Sequence, residues 1–285
     1  MKILILLMSC NKPLYLEEEA ACRETFLKDV YDYGVPYLFY KGLNEEHNEQ
    51  GIDYDTQTIY VDAPDDLAGT GRKTALALRE SLDIDYDYLI KTNVSTYINI
   101  ENVMRWIETW PGKDDTNIYG SRFIVNKASL DIPFPRGNFV IMSRKMVEGS
   151  LDIMDKLVGK DGIPKTDDTL VGLSMLYYQM KKLELDYIKS LKVVPTVFSF
   201  VEPIADRPEF FDALAVRCKN EAEREKTPEN MRKVYDIYRG NVIPERNGFR
   251  QLEILEVGDG VMMAYDKYCK ARVSASKTNT EENKK

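Results

Sequence analysis

Apolar runs and helical patterns alternate along the first two thirds of the chain. Runs typical of buried strands occur at about 2–8, 36–41, 57–61, 86–92, 117–124 and 138–142, and helical periodicity occurs near 14–32, 70–82, 100–109, 143–157 and 168–182. Strands that are apolar throughout and separated by helices are typical of a mostly parallel sheet covered on both faces. The pattern therefore predicts an α/β, Rossmann-like fold.

The carboxyl ends of the predicted strands indicate where a ligand would bind. Open α/β sheets bind their ligands beyond these ends. In this chain they fall at residues 9–11, 62–71 and 92–96. We expect the functional side chains at this edge of the sheet.

The character of the chain changes after about residue 203. Residues 208–239 are charged and typical of helices, a shorter segment follows at 250–272, and residues 274–285 are polar and typical of disorder. The sequence thus predicts one compact domain with its core over 1–203. A C-terminal helical extension of the same domain covers 204–273, and a disordered tail covers 274–285.

Composition narrows the class of protein. A chain of 285 residues with 44% hydrophobic residues can bury a sizeable core. The net charge of −8 argues against a general nucleic-acid binder, but it leaves room for an anionic small molecule in a local basic pocket. Four scattered cysteines and a single histidine, His47, argue against a zinc site and are typical of a reduced, intracellular protein.

The apolar start of the chain is interpreted as the first buried strand. Residues 2–8 are too few to span a bilayer, and no small-residue cleavage site follows them. The sequence predicts no transmembrane segment.

Five segments of the chain resemble, in order, the motifs of one enzyme family. Residues 22–26 resemble I-R-x-T-W, and residues 71–74 resemble the stretch around L-T-x-K-T. Residues 86–99 match D-Y-x-L-K-T-D-D-D-x-F-V-N apart from its acids, 119–120 with 134–143 follow a shortened Y-P-x-Y-x-x-G-x-x-Y-V-x-S, and 166–172 are similar to E-D-V-x-x-G. Over roughly residues 1–200 the chain thus resembles the β-1,3-galactosyltransferase and Fringe family of inverting GT-A glycosyltransferases. This resemblance implies a GT-A fold and transfer of a sugar from a nucleotide diphosphate, UDP, to a saccharide acceptor with inversion.

The resemblance implies that Asp168 is the catalytic base. In an inverting transferase a carboxylate takes the proton of the acceptor hydroxyl as its oxygen attacks the anomeric carbon. Gly137, Asn138 and Asp167 are then expected on the acceptor side. The alternative for residues 166–168 is a helix N-cap, because an apolar helical pattern follows them.

The same resemblance implies that the metal-binding acids of the family are replaced in this chain. Asn93, Val94 and Ser95 stand where the family has its acidic triad, and neither an amide nor a hydroxyl is the anionic oxygen ligand that Mg²⁺ or Mn²⁺ prefers. His47 comes too early in the chain to act as the late histidine ligand of the family. The sequence predicts no cofactor, with Mn²⁺ or Mg²⁺ as the disfavoured alternative.

Without a metal, cations are expected to neutralise the departing diphosphate. The basic candidates are Arg23, Arg72, Lys73, Arg136, Arg207, Arg217 and Lys219. The expected donor contacts are Ser9, Arg23, Lys73, Asn93, Ser95, Arg217 and Lys219. The alternative for each basic residue is a solvated surface charge.

Two other functions remain open at this point. A catalytically inactive GT-A module that binds sugars or a partner would also have lost the acids. A methyltransferase or dinucleotide enzyme is disfavoured, because residues 8–13 contain no glycine for a phosphate-binding turn. Because the chain starts almost directly at its first strand, a cytoplasmic enzyme of bacterial or viral type, or a catalytic domain trimmed of its anchor, is expected.

Overall fold

The computed structural model describes residues 1–108, 116–120, 123–126, 130–158, 166–185, 191–193, 197–199, 213–219 and 222–240. The strands are β1 (Ile3–Met8), β2 (Tyr37–Gly42), β3 (Gly51–Asp53), β4 (Thr58–Val61), β5 (Tyr88–Asn93), β6 (Thr96–Ile98), β7 (Ile118–Gly120), β8 (Phe123–Asn126), β9 (Leu130–Pro135), β10 (Phe139–Ser143), β11 (Leu191–Val193), β12 (Val197–Ser199) and β13 (Ala215–Arg217). The helices are α1 (Pro13–Glu24), α2 (Phe26–Asp32), α3 (Thr70–Glu80), α4 (Ile100–Glu108), α5 (Arg144–Leu157), α6 (Asp167–Lys182) and α7 (Thr227–Gly240).

An eight-stranded sheet in the order β11-β7-β10-β5-β1-β2-β4-β3 forms the centre of the fold. Strand β1 pairs in parallel with both β2 and β5, and β2 pairs in parallel with β4. Strand β10 runs antiparallel between β5 and β7, and β3 runs antiparallel at the edge. The predicted α/β class with a mostly parallel sheet is confirmed.

The side chains of the central strands alternate between two layers of helices. On the first face, Ile5, Leu7 and Ile90 pack with residues of α1, α2, α4 and α7. On the second face, Leu4 and Leu89 pack with residues of α3, α5 and α6. These side chains are buried almost completely, and each contributes about 1.5–3 kcal/mol through removal of apolar surface from water. Helices therefore cover both faces, as the apolar runs predict.

The helix predicted over 14–32 is two helices, because the backbone breaks at Thr25. Its φ and ψ are both −115°, outside the helical region. The Thr25 hydroxyl donates to the carbonyl oxygen of Ala21 at 2.6 Å. Side-chain bonding of this kind competes with the helix ladder, and no glycine or proline marks the position in the sequence.

A second sheet connects the later part of the chain to the core. Strand β13 pairs antiparallel with β6, so that Arg217 lies opposite Thr96, and it pairs in parallel with β12. The prediction of a helix-rich run over 208–239 is confirmed for α7 and wrong for Ala215–Arg217, which forms a strand because β6 offers a partner. The predicted segments at 208–212, 250–272 and 274–285 lie outside the described residues.

The run predicted as one strand over 117–124 corresponds to β7 and β8, with 121–122 outside the described residues. Strands β8 and β9 pair with each other in a separate two-stranded ribbon. Within the described part of the chain, every helix is too short or too polar to cross a bilayer.

Candidate functional site

The candidate site lies at the carboxyl end of β5, on the second face of the sheet. Its central residue is Lys91, which is 1% exposed. The Lys91 ammonium forms an ion pair with the carboxylate of Asp167, and its Nζ lies 3.3 Å from the carbonyl oxygen of Gly137. The first residue of α6 and the turn before β10 thus meet at one lysine of β5.

Gly137 fits closely between these groups because it has no side chain. A Cβ atom at this position would lie 2.8 Å from Oδ2 of Asp167, 3.2 Å from Nζ of Lys91 and 3.4 Å from Cβ of Asp168. The structure therefore brings together Gly137, Asp167 and Asp168, which the sequence predicts for the site, and adds Lys91 to them.

Lys91 is held in an environment that weakens its charge. Burial lowers the pKa of its ammonium to about 8, the negative charge of Asp168 acts in the opposite direction, and the positive charge of Lys73 lowers the pKa further. The lysine nevertheless remains mostly protonated at neutral pH. Asp168 and Lys73 are thus close enough to influence Lys91 electrostatically.

The two aspartates at the start of α6 have different surroundings. Thr166 is the N-cap residue, so neither aspartate is the cap itself. Asp167 is 8% exposed and its Oδ2 is paired with Lys91. The Oδ1 of Asp168 accepts from the backbone N–H of Thr169 at 2.8 Å, and its Oδ2 forms no hydrogen bond with any described residue. Asp167 is therefore held as the partner of Lys91, whereas Asp168 has no ion pair with another described residue and an oxygen available to take a proton.

Lys73 and Ser9 lie together at the carboxyl end of β1. The Lys73 side chain is buried, and its Nζ donates to the carbonyl oxygen of Ser9 at 2.6 Å and to Oδ1 of Asp65 at 2.9 Å. The Ser9 hydroxyl donates to Oε1 of Glu19, which also pairs with Lys41 at 2.8 Å. Both predicted donor contacts lie at this edge, and both are already engaged in buried polar bonds.

Asn93 shapes the corner that follows β5. Its Oδ1 accepts from the backbone N–H of Ser95 at 3.2 Å, from the Ser95 hydroxyl at 2.7 Å and from the Thr96 hydroxyl at 3.1 Å. The side chain of Val94 lies in the apolar core of the first face. The amide oxygen of Asn93 is thus committed to local structure.

The predicted C-terminal cations are brought to this corner by β13. The backbone N–H of Cys218 donates to the carbonyl oxygen of Ser95 at 2.9 Å, so Arg217 and Lys219 flank the bond. The charge of Lys219 also reaches Glu18 on α1, whose pKa burial raises to about 7 while Arg224 and Lys219 act against that rise. Positive charge therefore lies beside the Asn93–Thr96 corner.

The other predicted cations have different positions. Arg23 lies at the opposite edge of the sheet, where it donates to the carbonyl oxygen of Thr56 at 2.5 Å and its guanidinium carbon lies 4.6 Å from the ring centroid of Phe39. Arg72 is exposed and pairs with Asp62 at 2.9 Å. Arg136 is half-buried beside Gly137 and forms no ion pair with another described residue. Arg207 lies outside the described residues.

Asn138 supports the site through its backbone. Its carbonyl oxygen accepts from the Thr92 hydroxyl at 2.7 Å, and its side chain is 5% exposed. Among the described residues, no three histidine, cysteine, aspartate or glutamate side chains are grouped so that they could hold a metal ion.

The sequence contains a signal for Lys91 that motif reasoning does not use. A lysine within an otherwise buried strand needs a carboxylate partner, since buried lysines are rare unless paired. That partner, Asp167, is distant in sequence and sits in the motif selected for Asp168. Lys91 is the functional candidate that sequence reasoning missed.

Comparison with known proteins gives partial likenesses of fold. No family model matches the sequence, and no curated protein matches it. A glycosyltransferase involved in glycosylation of the major capsid of PBCV-1 is 13% identical, over 80% of this chain and 100% of that chain, with a TM-score of 0.48. The catalytic domain of Drosophila β1,4-galactosyltransferase 7, in complex with xylobiose, is 12% identical, over 53% of this chain and 52% of that chain, with a TM-score of 0.30.

Proposed function

We propose that this protein is a GT-A-type glycosyltransferase. It transfers a hexose or similar sugar from a nucleotide diphosphate, UDP, to a saccharide acceptor, with inversion at the anomeric carbon. The observation that carries the proposal is the free Oδ2 of Asp168, which lies next to the buried Lys91–Asp167 pair at the ligand-binding edge of the sheet. The resemblance of residues 166–172 to the E-D-V-x-x-G motif supports the same residue.

Asp168 acts as the general base in this proposal. Its Oδ2 takes the proton of the acceptor hydroxyl while the hydroxyl oxygen forms a bond to the anomeric carbon and the bond to the diphosphate oxygen breaks. The transition state has oxocarbenium character, as in glycoside hydrolysis. The Lys91–Asp167 pair fixes the start of α6, and the missing side chain of Gly137 lets this pair lie against the turn before β10.

The negative charge of the departing diphosphate needs cations in this proposal. Arg136 is the first of them, because it lies beside Gly137 and is free of ion pairs among the described residues. Arg217 and Lys219 flank the Asn93–Thr96 corner and approach from the other side. Guanidinium groups bind phosphate oxygens through two charge-assisted hydrogen bonds, which suits Arg136 and Arg217 to this role.

The donor set at the corner disfavours a divalent metal in the mechanism. The Oδ1 of Asn93 already accepts from three donors, and Ser95 and Thr96 use their hydroxyls to make those bonds. Mg²⁺ and Mn²⁺ prefer anionic oxygens that are free to coordinate. We therefore propose that transfer proceeds without a metal.

The test is turnover of nucleotide sugars with defined variants. Release of UDP is measured from a panel of UDP-sugars with saccharide acceptors, in EDTA and in Mn²⁺. We expect turnover in EDTA and a loss of 100-fold or more, roughly the contribution of a general base, in Asp168→Asn. Asp152→Asn, which replaces an exposed carboxylate on α5, is the matched control and is expected to retain activity.

Turnover that requires Mn²⁺ contradicts the metal-free mechanism. Stabilisation by UDP without any turnover favours an inactive binding module instead.

A further inference from the structure

A cavity of about 200 Å³ opens on the first face of the sheet, between α2, the start of α4 and the end of α7. Its polar lining includes Asp29, Asp32, Tyr97, Asn99, Glu101 and Arg239, and Tyr33 and Tyr238 also line it. None of these residues belongs to the site around Asp168.

The cavity and the candidate catalytic site lie on opposite faces of the sheet. Lys91 follows Ile90 along β5, and neighbouring side chains of a strand point to opposite faces. Ile90 belongs to the core of the first face, and Leu89 belongs to the core of the second. Lys91 therefore shares the face of Leu89, whereas Tyr97 packs in the first-face core. The two sites are separated by the sheet.

Tyr97 gives the cavity a hydroxyl without a protein partner. The residue is 2% exposed, and its ring packs edge-on against Phe26 and stacks on Tyr238, both with ring centroids 5.4 Å apart. Its hydroxyl forms no hydrogen bond with any residue that the structure describes. Tyr97 lines the cavity, so its hydroxyl is available to a molecule that enters it. A ligand in the cavity can accept a hydrogen bond from this hydroxyl.

Asn99 also lines the cavity, and its side-chain amide is a second hydrogen-bond donor there. It is 8% exposed, and its Oδ1 accepts from the backbone N–H of Asn102 at 3.1 Å. Its amide nitrogen has no hydrogen-bond partner among the described residues. Two polar side chains that line the cavity and are more than nine-tenths buried thus have donors to offer.

The charged groups around the cavity define its ligand further. Arg239 is paired with Asp29, and Glu101 is paired with Arg105 on the same helix. Asp32 is exposed and has no ion pair within the described part of the chain. The wall therefore combines the free donors of Tyr97 and Asn99 with carboxylate acceptors.

This combination favours a neutral ligand that carries several hydroxyl groups. An anion would be repelled by the carboxylates, and an organic cation has no acceptor for the donors of Tyr97 and Asn99. A sugar hydroxyl both donates and accepts. The volume lies below the range of roughly 300–1,000 Å³ that holds drug-sized ligands, so one ring fits.

We propose that this cavity is a saccharide-binding site that takes a single pyranose unit and is separate from the Asp168 site. Tyr97 and Asn99 donate to the oxygens of the sugar, and Asp32 accepts from its hydroxyls. The proposal goes beyond the transferase reaction and stands whether or not Asp168 is a catalytic base.

The test is binding of simple glycosides to the full chain. Saturation-transfer NMR is recorded with the methyl pyranosides of glucose, galactose, mannose and xylose. The variants are Tyr97→Phe, which removes only the hydroxyl, Asp32→Asn, and Asp168→Asn in the other site. We expect at least one glycoside to bind, and its affinity to fall roughly 3- to 10-fold in Tyr97→Phe and in Asp32→Asn, as for the loss of one hydrogen bond. Asp168→Asn is expected to bind it as the wild type does.

The results that would overturn the saccharide site differ from those that would overturn the transferase proposal. Absence of binding by all four glycosides overturns the saccharide site, as does binding that Tyr97→Phe and Asp32→Asn leave unchanged. Binding that is lost only in Asp168→Asn assigns the glycoside to the other site and also overturns the proposal. If spermidine binds in place of the glycosides, the cavity is a cation site. Should Tyr97→Phe not fold, the exposed Asp32→Asn variant decides alone.

Discussion

Gly137 and Asp167 approach each other so closely that a methyl group on Gly137 would lie 2.8 Å from Oδ2 of Asp167. Contacts this short between a carbon and a carboxylate oxygen do not occur without movement of one group. The carboxylate of Asp167 cannot simply rotate away, because it is the partner of the buried Lys91 ammonium. The Lys91–Asp167 ion pair therefore requires a glycine at position 137.

We expect Gly137→Ala to disturb this ion pair. Overpacking of this kind costs about 1–3 kcal/mol, and the displaced Asp167 would also move Asp168. The measurement is urea unfolding together with transferase activity. Gly240→Ala is the matched control, because a Cβ atom at Gly240 meets nothing within 4 Å. Equal stability of the two variants would mean that the turn at Gly137 is free to shift.

The lowered pKa of Lys91 predicts that the free energy of unfolding rises at alkaline pH. Its pKa is about 8 in the folded protein, mainly because of burial, and about 10.5 in the unfolded chain. The folded state thus loses a proton that the unfolded state keeps between pH 8 and 10.5. The stability that deprotonation of Lys91 contributes is fully present above the pKa of the unfolded chain, and it is lost as the pH falls through the pKa of the folded protein.

We expect the difference in unfolding free energy between wild type and Lys91→Met to grow by up to about 3 kcal/mol from pH 8 to pH 10.5. Urea unfolding across this range measures it, and Lys145→Met, which replaces an exposed lysine on α5, is the comparison variant. A difference that stays constant with pH would show that Lys91 titrates like a solvated lysine.

The raised pKa of Glu18 predicts that the free energy of unfolding falls as the pH rises from acidic to neutral. The side chain is fully buried on α1, and neither carboxylate oxygen has a hydrogen-bond partner in the described part of the chain. Arg224 is the nearest cation, at 3.9 Å. Burial raises the pKa of Glu18 to about 7. Its contribution to stability is therefore complete below the unfolded pKa of 4.5 and is lost as the pH rises through 7.

Replacement by a neutral side chain of the same shape tests this behaviour. We expect Glu18→Gln to gain up to about 3 kcal/mol relative to wild type between pH 4.5 and pH 7.5. Thermal unfolding at both pH values measures the gain, and Glu17→Gln, which is exposed on the same helix, is the control. The same shift in both variants would contradict a special role for Glu18.

The three hydrogen bonds accepted by Asn93 predict which substitutions the corner tolerates. Asn93→Ala leaves the donors of Ser95 and Thr96 without their acceptor, and we expect a loss of about 1–3 kcal/mol. Asn93→Asp keeps an acceptor oxygen in place and should stay close to wild type in urea unfolding. If Asn93→Ala is as stable as Asn93→Asp, the bonds to Asn93 do not hold the corner.

The strands that the sequence predicts well are those with continuous apolar runs. Residues 2–8 and 138–142 correspond to β1 and β10, because a strand buried on both faces excludes polar side chains except where they are paired. Strand β6 is missed, since Thr96–Ile98 is too short to show a pattern and its partner β13 comes much later in the chain. Pairing between distant segments leaves no local signal.

The site shows the same division between local and distant information. The structure brings Gly137, Asp167 and Asp168 together, whereas Arg23, which the motifs assign to the same site, lies at the opposite edge of the sheet. Helix α1 starts at the carboxyl end of β1 and runs back across the sheet, so a residue near its last turn lies at the far edge. The length of the helix contains this information, and a motif taken alone does not.

The pairing of β6 with β13 also has a consequence for the order in which the protein is made. Chains are synthesised from the N-terminus, so β6 leaves the ribosome long before Ala215–Arg217 exists. Until then the strand that follows the Asn93 corner has no partner among the described strands. The backbone bond from Cys218 to Ser95 forms later still. The corner beside which we propose the diphosphate of the donor to bind is thus among the last parts of this protein to reach its final shape.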